Sequence, residues 1–332
     1  MQNFRKFMSK RILITGTSGF LGGALGQHLR SCGHHITGIS RRKSREGSVD
    51  LHVTHDLANP LPGNLGKFDV LFHAAALASP WASPKAFRLN IEQASWNIVD
   101  YVRKNKIPRL INISSTSVHY IMGDQYDISE ATPLPKKAIN QYAESKLAAE
   151  NLVLKNVTDS LSVRPRAIYG PGDTVLLPRL LRAARNGMLP QIIRSDGLSP
   201  RSDLIYIGNL VNILEAAIDK NLSGVINVTD NNTVNIDELL SDIFKRLNYP
   251  KPIFNLSVNT AMQVAKTAEF LSKTLAGWKE PPITQFGVSA LVHSKTFNVE
   301  KMLNVLGMPK YTTEEGVNAF IKWYKNDNKI GG

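Results

Sequence analysis

Short apolar runs alternate with longer amphipathic stretches through the first half of the chain. Arg11 to Thr15, His35 to Ile39, Phe68 to His73, Arg109 to Ser114 and Leu161 to Arg164 are predicted strands. Between them Phe20 to Ser31, Ser83 to Lys104 and Gln141 to Val157 repeat apolar residues at helical spacing. This alternation predicts an α/β fold, a Rossmann-type doubly wound parallel sheet. After Gly172 the rhythm becomes irregular, and Pro200, Pro250, Pro252, Pro281 and Pro282 punctuate shorter helices. Residues 1–172 are therefore expected to form the main domain, with 203–230 returning to it through a helix and the strand Gly224 to Val228. Residues 173–202 and 231–332 are expected to form a smaller, mostly helical C-terminal substrate lobe. In it, Ala261 to Leu275 reads as an amphipathic helix packed over the substrate cleft, with Lys266 and Lys273 on its polar side.

Composition narrows the classes. The chain has 332 residues, 42% of them apolar and 20% charged, which is ordinary globular composition. No segment approaches the apolar length of a membrane span, and the basic Met1 to Lys10 lacks the apolar stretch and cleavage site of a secretory signal. A lone Cys32 excludes an intramolecular disulfide and gives no metal-site pattern, so no metal is expected and a reducing cytoplasm is the expected location. The net charge of +13 raises nucleic acid as a partner. The charges are scattered, however, and the one dense run, Arg41 to Arg45, sits where a cofactor contact is expected; a small apolar or weakly anionic substrate is the better expectation.

Gly16-Thr17-Ser18-Gly19-Phe20-Leu21-Gly22 directly follows the first strand and opens the first helix. Such a turn holds a dinucleotide pyrophosphate: Gly16 makes the tight exit, Gly19 lets backbone approach phosphate, and Gly22 packs helix on sheet. Ser18, Phe20 and Leu21 complete the loop and helix start. At the end of the second strand, Ser40 stands where an acid would hold the ribose hydroxyls of NAD, and Arg41 and Arg42 follow. The expectation is therefore NADP(H), with NADPH preferred and NAD as the alternative. Asp56 and Leu57 are expected at the adenine, and Ala74 and Ala75, after His73, at its ribose. His73 itself reads as a satisfied strand-end histidine.

Tyr142-Ala143-Glu144-Ser145-Lys146 places a phenol and an ammonium four residues apart on one helix face. Lys146 is expected to favour the phenolate, lower the Tyr142 pKa toward neutrality and hold the nicotinamide ribose, while Tyr142 exchanges a proton with a carbonyl or alcohol oxygen. Ser114 to Ser117 ends the fifth strand at the edge where such sheets bind ligands. Ser115, with Thr116 as the alternative, is the expected clamp on the substrate oxygen.

With these motifs in order, the chain resembles an extended short-chain dehydrogenase/reductase of the NAD-dependent epimerase/dehydratase superfamily, and within it the 3β-hydroxysteroid dehydrogenase-like branch. The resemblance covers nearly the whole chain after about residue 9. It implies catalytic roles for Ser115, Tyr142 and Lys146 and nicotinamide contacts from the backbone of Pro165 and Ala167. It also implies a cofactor-side role for Asn90, which with Asn97 matches asparagines of the helix behind the cofactor. The branch is favoured by Tyr206-Ile207-Gly208-Asn209, and by Ser202 where sugar-nucleotide enzymes usually carry an arginine for a phosphate, although Arg201 is one residue away. The implied activity is NADP(H)-dependent interconversion of a secondary alcohol and a ketone on an apolar substrate, such as a sterol or a β-keto acid or ester. A nucleotide-sugar epimerase or dehydratase and a non-catalytic NADP(H)-sensing protein are the rival readings. Pairing of the two long helices across a twofold axis would give a homodimer, with Trp96, Val99, Val102, Ala148, Leu152 and Val153 supplying apolar surface.

Overall fold

The computed structural model describes residues 9–77, 79–185, 189–250 and 254–330. Most of the basic N-terminal stretch, residues 1–8, and Pro252 lie outside the described residues. The first half runs β1 Arg11–Thr15, α1 Phe20–Ser31, β2 His35–Ser40, β3 Leu51–Thr54, β4 Val70–His73, α2 Pro84–Phe87, a π-helical turn Arg88–Gln93, α3 Ala94–Lys104 and β5 Arg109–Ile113. A 3₁₀ turn at Thr116–His119 follows, then β6 Gln125–Ile128, α4 Gln141–Asn156, β7 Ser160–Pro165 and β8 Ile168–Tyr169. Next come α5 Leu177–Arg185, β9 Gln191–Ile193, β10 Arg201–Asp203, β11 Ile205–Tyr206, α6 Ile207–Ala216 and β12 Gly224–Val228. The chain closes with β13 Thr233–Asn235, α7 Ile236–Arg246, β14 Asn255–Ser257, α8 Val258–Thr274, α9 Gln285–Val292, β15 Lys295–Phe297, α10 Glu300–Leu306 and α11 Thr313–Ile330.

Seven strands pair in parallel in the order β12-β7-β5-β4-β1-β2-β3. Strand side chains alternate between faces, and successive residues of β1 show it. Ile12 and Ile14 join a core with α1 and α6, whereas Leu13 joins one with α3 and α4. Both faces being covered explains why these strands are apolar throughout. The expected Rossmann-type doubly wound sheet with a helical C-terminal region is the fold observed. A second sheet, β13-β10-β15-β6, joins segments more than a hundred residues apart in sequence.

Three local expectations change. The helix predicted from Ser83 to Lys104 is interrupted: Ser83 caps α2 by accepting from Ala86 N at 3.2 Å, and a π turn then carries Asn90 before α3 begins. On α8 the small or polar residues Ala261, Ala265, Glu269 and Ser272 face inward, while Val264, Phe270 and Leu271 are exposed, so the buried face is not the large apolar one. Of the residues expected at a twofold contact, Val99, Val102 and Val153 are buried in the chain's own core and Leu152 packs against it; Trp96 and Ala148 remain exposed. Among the described residues, no helix is long and apolar enough to cross a membrane.

Candidate active site

The carboxyl edge of the sheet gathers the predicted residues. At β1, Gly16 turns the chain with φ +78°, its N–H donating to Ile39 O at 2.7 Å, and a Cβ there would meet Ala75 Cα at 2.8 Å. Glycine is required at both counts. A Cβ on Gly22 would lie 2.4 Å from Gly16 O, so the helix packs directly on the turn. Gly19 forms the N-cap of α1 with no side-chain cap, leaving the amides that open the helix at Phe20 and Leu21 for an anion, beside the half-exposed Ser18. This cradle fits a dinucleotide pyrophosphate.

The surrounding residues are held by backbone-directed bonds. Thr15 Oγ1 accepts from Ala75 N at 3.0 Å and meets His73 Nδ1 at 2.9 Å, while His73 Nε2 meets Ser95 Oγ at 3.1 Å. Both ring nitrogens of His73 are thus occupied, and burial lowers its pKa to about 3. Asp56 Oδ1 accepts from Ala58 N at 3.1 Å, and Leu57 O accepts from Asn97 Nδ2 at 2.8 Å. Asn90 donates to Ala86 O at 2.8 Å. Between Pro165, at the end of β7, and β8, Ala167 sits at φ +39°, a strained conformation for a residue with a Cβ.

Asn140 starts α4, its Oδ1 accepting from Ala143 N at 2.8 Å, which sets Tyr142 and Lys146 on the first two turns. Tyr142 packs against Phe87, with ring centroids 6.2 Å apart. Burial raises the phenol pKa above its usual value, and a hydrogen bond from Ser115 works the other way. The expected lowering by Lys146 is not found. Lys146 Nζ instead donates to Ile113 O at 2.8 Å, and burial, partly opposed by Glu150, brings its pKa down to about 8. Tyr142 is therefore a phenol at neutral pH, suited to donate a proton. Thr116, the alternative to Ser115, donates to Pro165 O at 3.3 Å. Beneath Lys146, one turn along α4, the buried Glu150 accepts from Arg164 Nε at 2.9 Å and Nη2 at 2.5 Å. Arg164 Nη1 meets His119 Nε2 at 2.8 Å, and burial followed by the Arg164 charge lowers the His119 pKa to about 4.

Sequence reasoning missed Glu150, Arg164 and His119, and also a second group toward the C-terminal segments. Arg166, 8% exposed, donates from Nη2 to Ser202 Oγ at 2.7 Å and lies over the Tyr120 ring at 5.2 Å. Lys295 Nζ is 5.4 Å from the same ring centroid. The signal was Arg164-Pro165-Arg166, two cations alternating on one strand end. The register at β10 is also resolved: Ser202 is buried and Arg201 exposed. Asn209 donates to Asp230 Oδ1 and to Tyr311 O, each at 2.8 Å, and a Cβ on Gly208 would strike the Tyr206 ring at 2.4 Å, so packing accounts for both.

A family model matches residues 12–236. The chain belongs to the NAD dependent epimerase/dehydratase family. Its chemistry is that of NAD(P)-dependent oxidoreductases and epimerases acting on CH–OH groups. It is 28% identical to the 2-alkyl-3-oxoalkanoate reductase of Shewanella oneidensis, over 92% of this chain and 84% of that protein. To the 3beta-hydroxysteroid-dehydrogenase/decarboxylase isoform 1 of Arabidopsis thaliana it is 30% identical, over 87% of this chain and 70% of the relative. A solved structure of MoeE5 in complex with UDP-glucose and NAD shares the fold with a TM-score of 0.74 and 23% identity, covering 96% of this chain and 99% of MoeE5.

One expectation is corrected. The solved structures of this fold named as dinucleotide complexes hold NAD, which overturns the preference for NADPH. The geometry gives the reason: Arg41 and Arg42 are exposed, Arg41 Nη1 donates to Asn90 Oδ1 at 3.1 Å, and the Ser40 hydroxyl turns back onto Arg42 O at 2.7 Å.

Proposed function

We propose that the chain interconverts a CH–OH group and a carbonyl on a small polar, anionic substrate, with NAD as the partner dinucleotide. The observation that carries this reading is Tyr142 and Lys146 one turn apart at the start of α4, with the buried Lys146 ammonium held on Ile113 O at the end of the strand that leads into Ser115. NAD, when bound, supplies or accepts the hydride. Gly16, Ser18, Gly19, Phe20, Leu21 and Gly22 would hold its pyrophosphate. Asp56, Leu57, Ala74, Ala75 and Asn90 would line its adenosine half, with Lys146, Pro165 and Ala167 at the nicotinamide half. Ser115 orients the substrate oxygen, and Tyr142 gives it a proton during reduction or removes one during oxidation. Residues 173–202 and 231–332 would form the substrate side of the cleft.

A nucleotide sugar is the substrate class favoured by the solved structures, which match this chain over almost its whole length and include UDP-sugar complexes. The absence of an arginine at Ser202 no longer argues against it, since Arg166 brings a guanidinium to that serine. A 3-oxo acid is the second reading, favoured by the full-length similarity to 2-alkyl-3-oxoalkanoate reductases.

Two measurements test the proposal. Incubating the protein with UDP-glucose, UDP-glucuronate and 3-oxo acids should show either epimerised sugar with NAD retained, or stoichiometric consumption of NADH. Tyr142→Phe should then lower turnover by about a hundredfold or more while NADH binding, followed by its fluorescence, changes little. Near-native turnover by Tyr142→Phe would remove the phenol from the chemistry.

A further inference from the structure

Arg166 has an unusual setting for a buried charge. Its side chain leaves the strand end between Pro165 and Ala167, on the segment proposed to meet the nicotinamide. Beside that segment, Thr116, the neighbour of Ser115, donates to Pro165 O. The guanidinium thus starts next to the reacting centre and reaches toward β10 and β15. Nη2 donates to Ser202 Oγ, but Nε is buried with no hydrogen-bond partner among the described residues.

Among the described residues, no carboxylate hydrogen-bonds the Arg166 guanidinium. Asp203 is the carboxylate near enough to feel Arg166, and its oxygens already accept from Thr233 Oγ1 at 2.5 Å and Phe297 N at 2.7 Å. Lys295, its Nζ 5.4 Å from the Tyr120 ring centroid, adds a second positive charge, and that Nζ is spent on Ile121 O, Gly123 O and Gln125 Oε1. Two cations therefore share one aromatic ring, and only the guanidinium keeps an unfilled donor, in a shape that matches a planar or tetrahedral oxyanion. A buried charge without a hydrogen-bonded counter-charge is costly, and an anionic ligand is the ordinary remedy.

We propose that Arg166 is the specificity-determining residue that binds the anionic oxygens of the substrate, a carboxylate or a phosphate, beside the carbon at which Tyr142 and Ser115 act. Arg166 extends the functional reading above, since that reading supplies the reacting carbon. Ser202 aims the guanidinium, and Lys295 strengthens the field without touching the anion. An uncharged substrate gains nothing from this arrangement.

The test separates binding from turnover. Calorimetry on the protein with NAD present would measure octanoate, a carboxylate with no reacting carbonyl, and UDP, a diphosphate with no sugar. Arg166→Ala should weaken whichever of the two the native protein binds by roughly ten- to a hundredfold, and Arg166→Lys should recover part of the loss. Weakened octanoate assigns the carboxylate source, and weakened UDP assigns the phosphate source. In parallel, the ratio of kcat/KM for 3-oxooctanoate to that for its methyl ester should fall by a similar factor in both variants, less in Arg166→Lys. Arg166-dependent anion binding without turnover of any substrate would leave this assignment standing and remove the functional reading instead. Equal binding by native protein and both variants, binding of neither anion by native protein, or, where octanoate is the anion bound and 3-oxooctanoate is turned over, an unchanged acid-to-ester ratio would overturn it. The lysine variant guards against misfolding, and its melting curve is compared with that of native protein before either measurement.

Discussion

The proposed cofactor end and the proposed substrate end of this sheet are built from different materials. At the cofactor end, the chain makes its site from backbone: Gly16 at positive φ, Gly22 against the Gly16 carbonyl, and the open amides of α1. At the proposed substrate end, the site rests on charged side chains in buried surroundings, with Glu150, Arg164 and His119 beside Lys146 and Arg166, Lys295 and Tyr120 beyond them. Backbone sites depend on small residues and steric room. Side-chain sites depend on the completeness of their charge pairing. The two ends should therefore fail in different ways when altered.

The largest failure is expected at Glu150→Ala. This substitution leaves the Arg164 guanidinium buried, facing only a neutral His119, and breaking such a pair typically costs about 3–5 kcal/mol. It also removes the carboxylate that partly restores the charge on Lys146. Urea unfolding should show the loss as a lower midpoint with little change in slope. A midpoint within error of native protein would mean that Arg164 finds another acceptor and that the pair is dispensable.

The same contrast governs what could be seen in the sequence. The Gly16 to Gly22 loop, β1 to β7 and the Tyr142 to Lys146 helix are local: period, glycine spacing and helical phase are contained within a few dozen residues. Arg166, Ser202 and Lys295 are brought together by a small sheet whose strands are far apart in the chain, so no local pattern announces them. The π turn at Asn90 was invisible for a related reason, since an extra residue in one helical turn leaves the apolar period nearly intact. The arginines at Arg41 and Arg42 were visible but misleading, because their types fit a phosphate whereas their side chains are exposed.

At the cofactor end, Gly22→Ala sharpens the contrast. The added methyl would lie 2.4 Å from Gly16 O and 2.6 Å from Gly16 C, both backbone atoms that cannot rotate aside. Overpacking of this kind costs about 1–3 kcal/mol, and it should push the turn away from the helix start and weaken NADH binding. Gly63→Ala is the control: a Cβ there meets nothing within 4 Å and needs no positive φ. It should leave stability near native or slightly higher. Fluorescence titration with NADH that finds Gly22→Ala and Gly63→Ala indistinguishable would show that the loop does not need a bare backbone.

The most gradual effect, spread over pH units and joining the two ends, is a pH dependence centred on Lys146. Burial holds its pKa at about 8, below the ordinary 10.5 of lysine. Between those values the unfolded chain keeps a proton that the folded chain has released, so this group makes stability rise as pH climbs from about 8 toward 10.5. Activity should move the opposite way in the carbonyl-reducing direction. If, as proposed, the ammonium assists Tyr142, whose pKa burial raises, turnover should fall above pH 8 toward a limit of about tenfold per pH unit. Lys146→Arg would retain a positive charge throughout and should move that falling limb to higher pH. A reduction rate that stays level from pH 7 to 9.5 in native protein, while denaturant midpoints rise, would show that Lys146 titrates as described yet contributes only by position and not by charge.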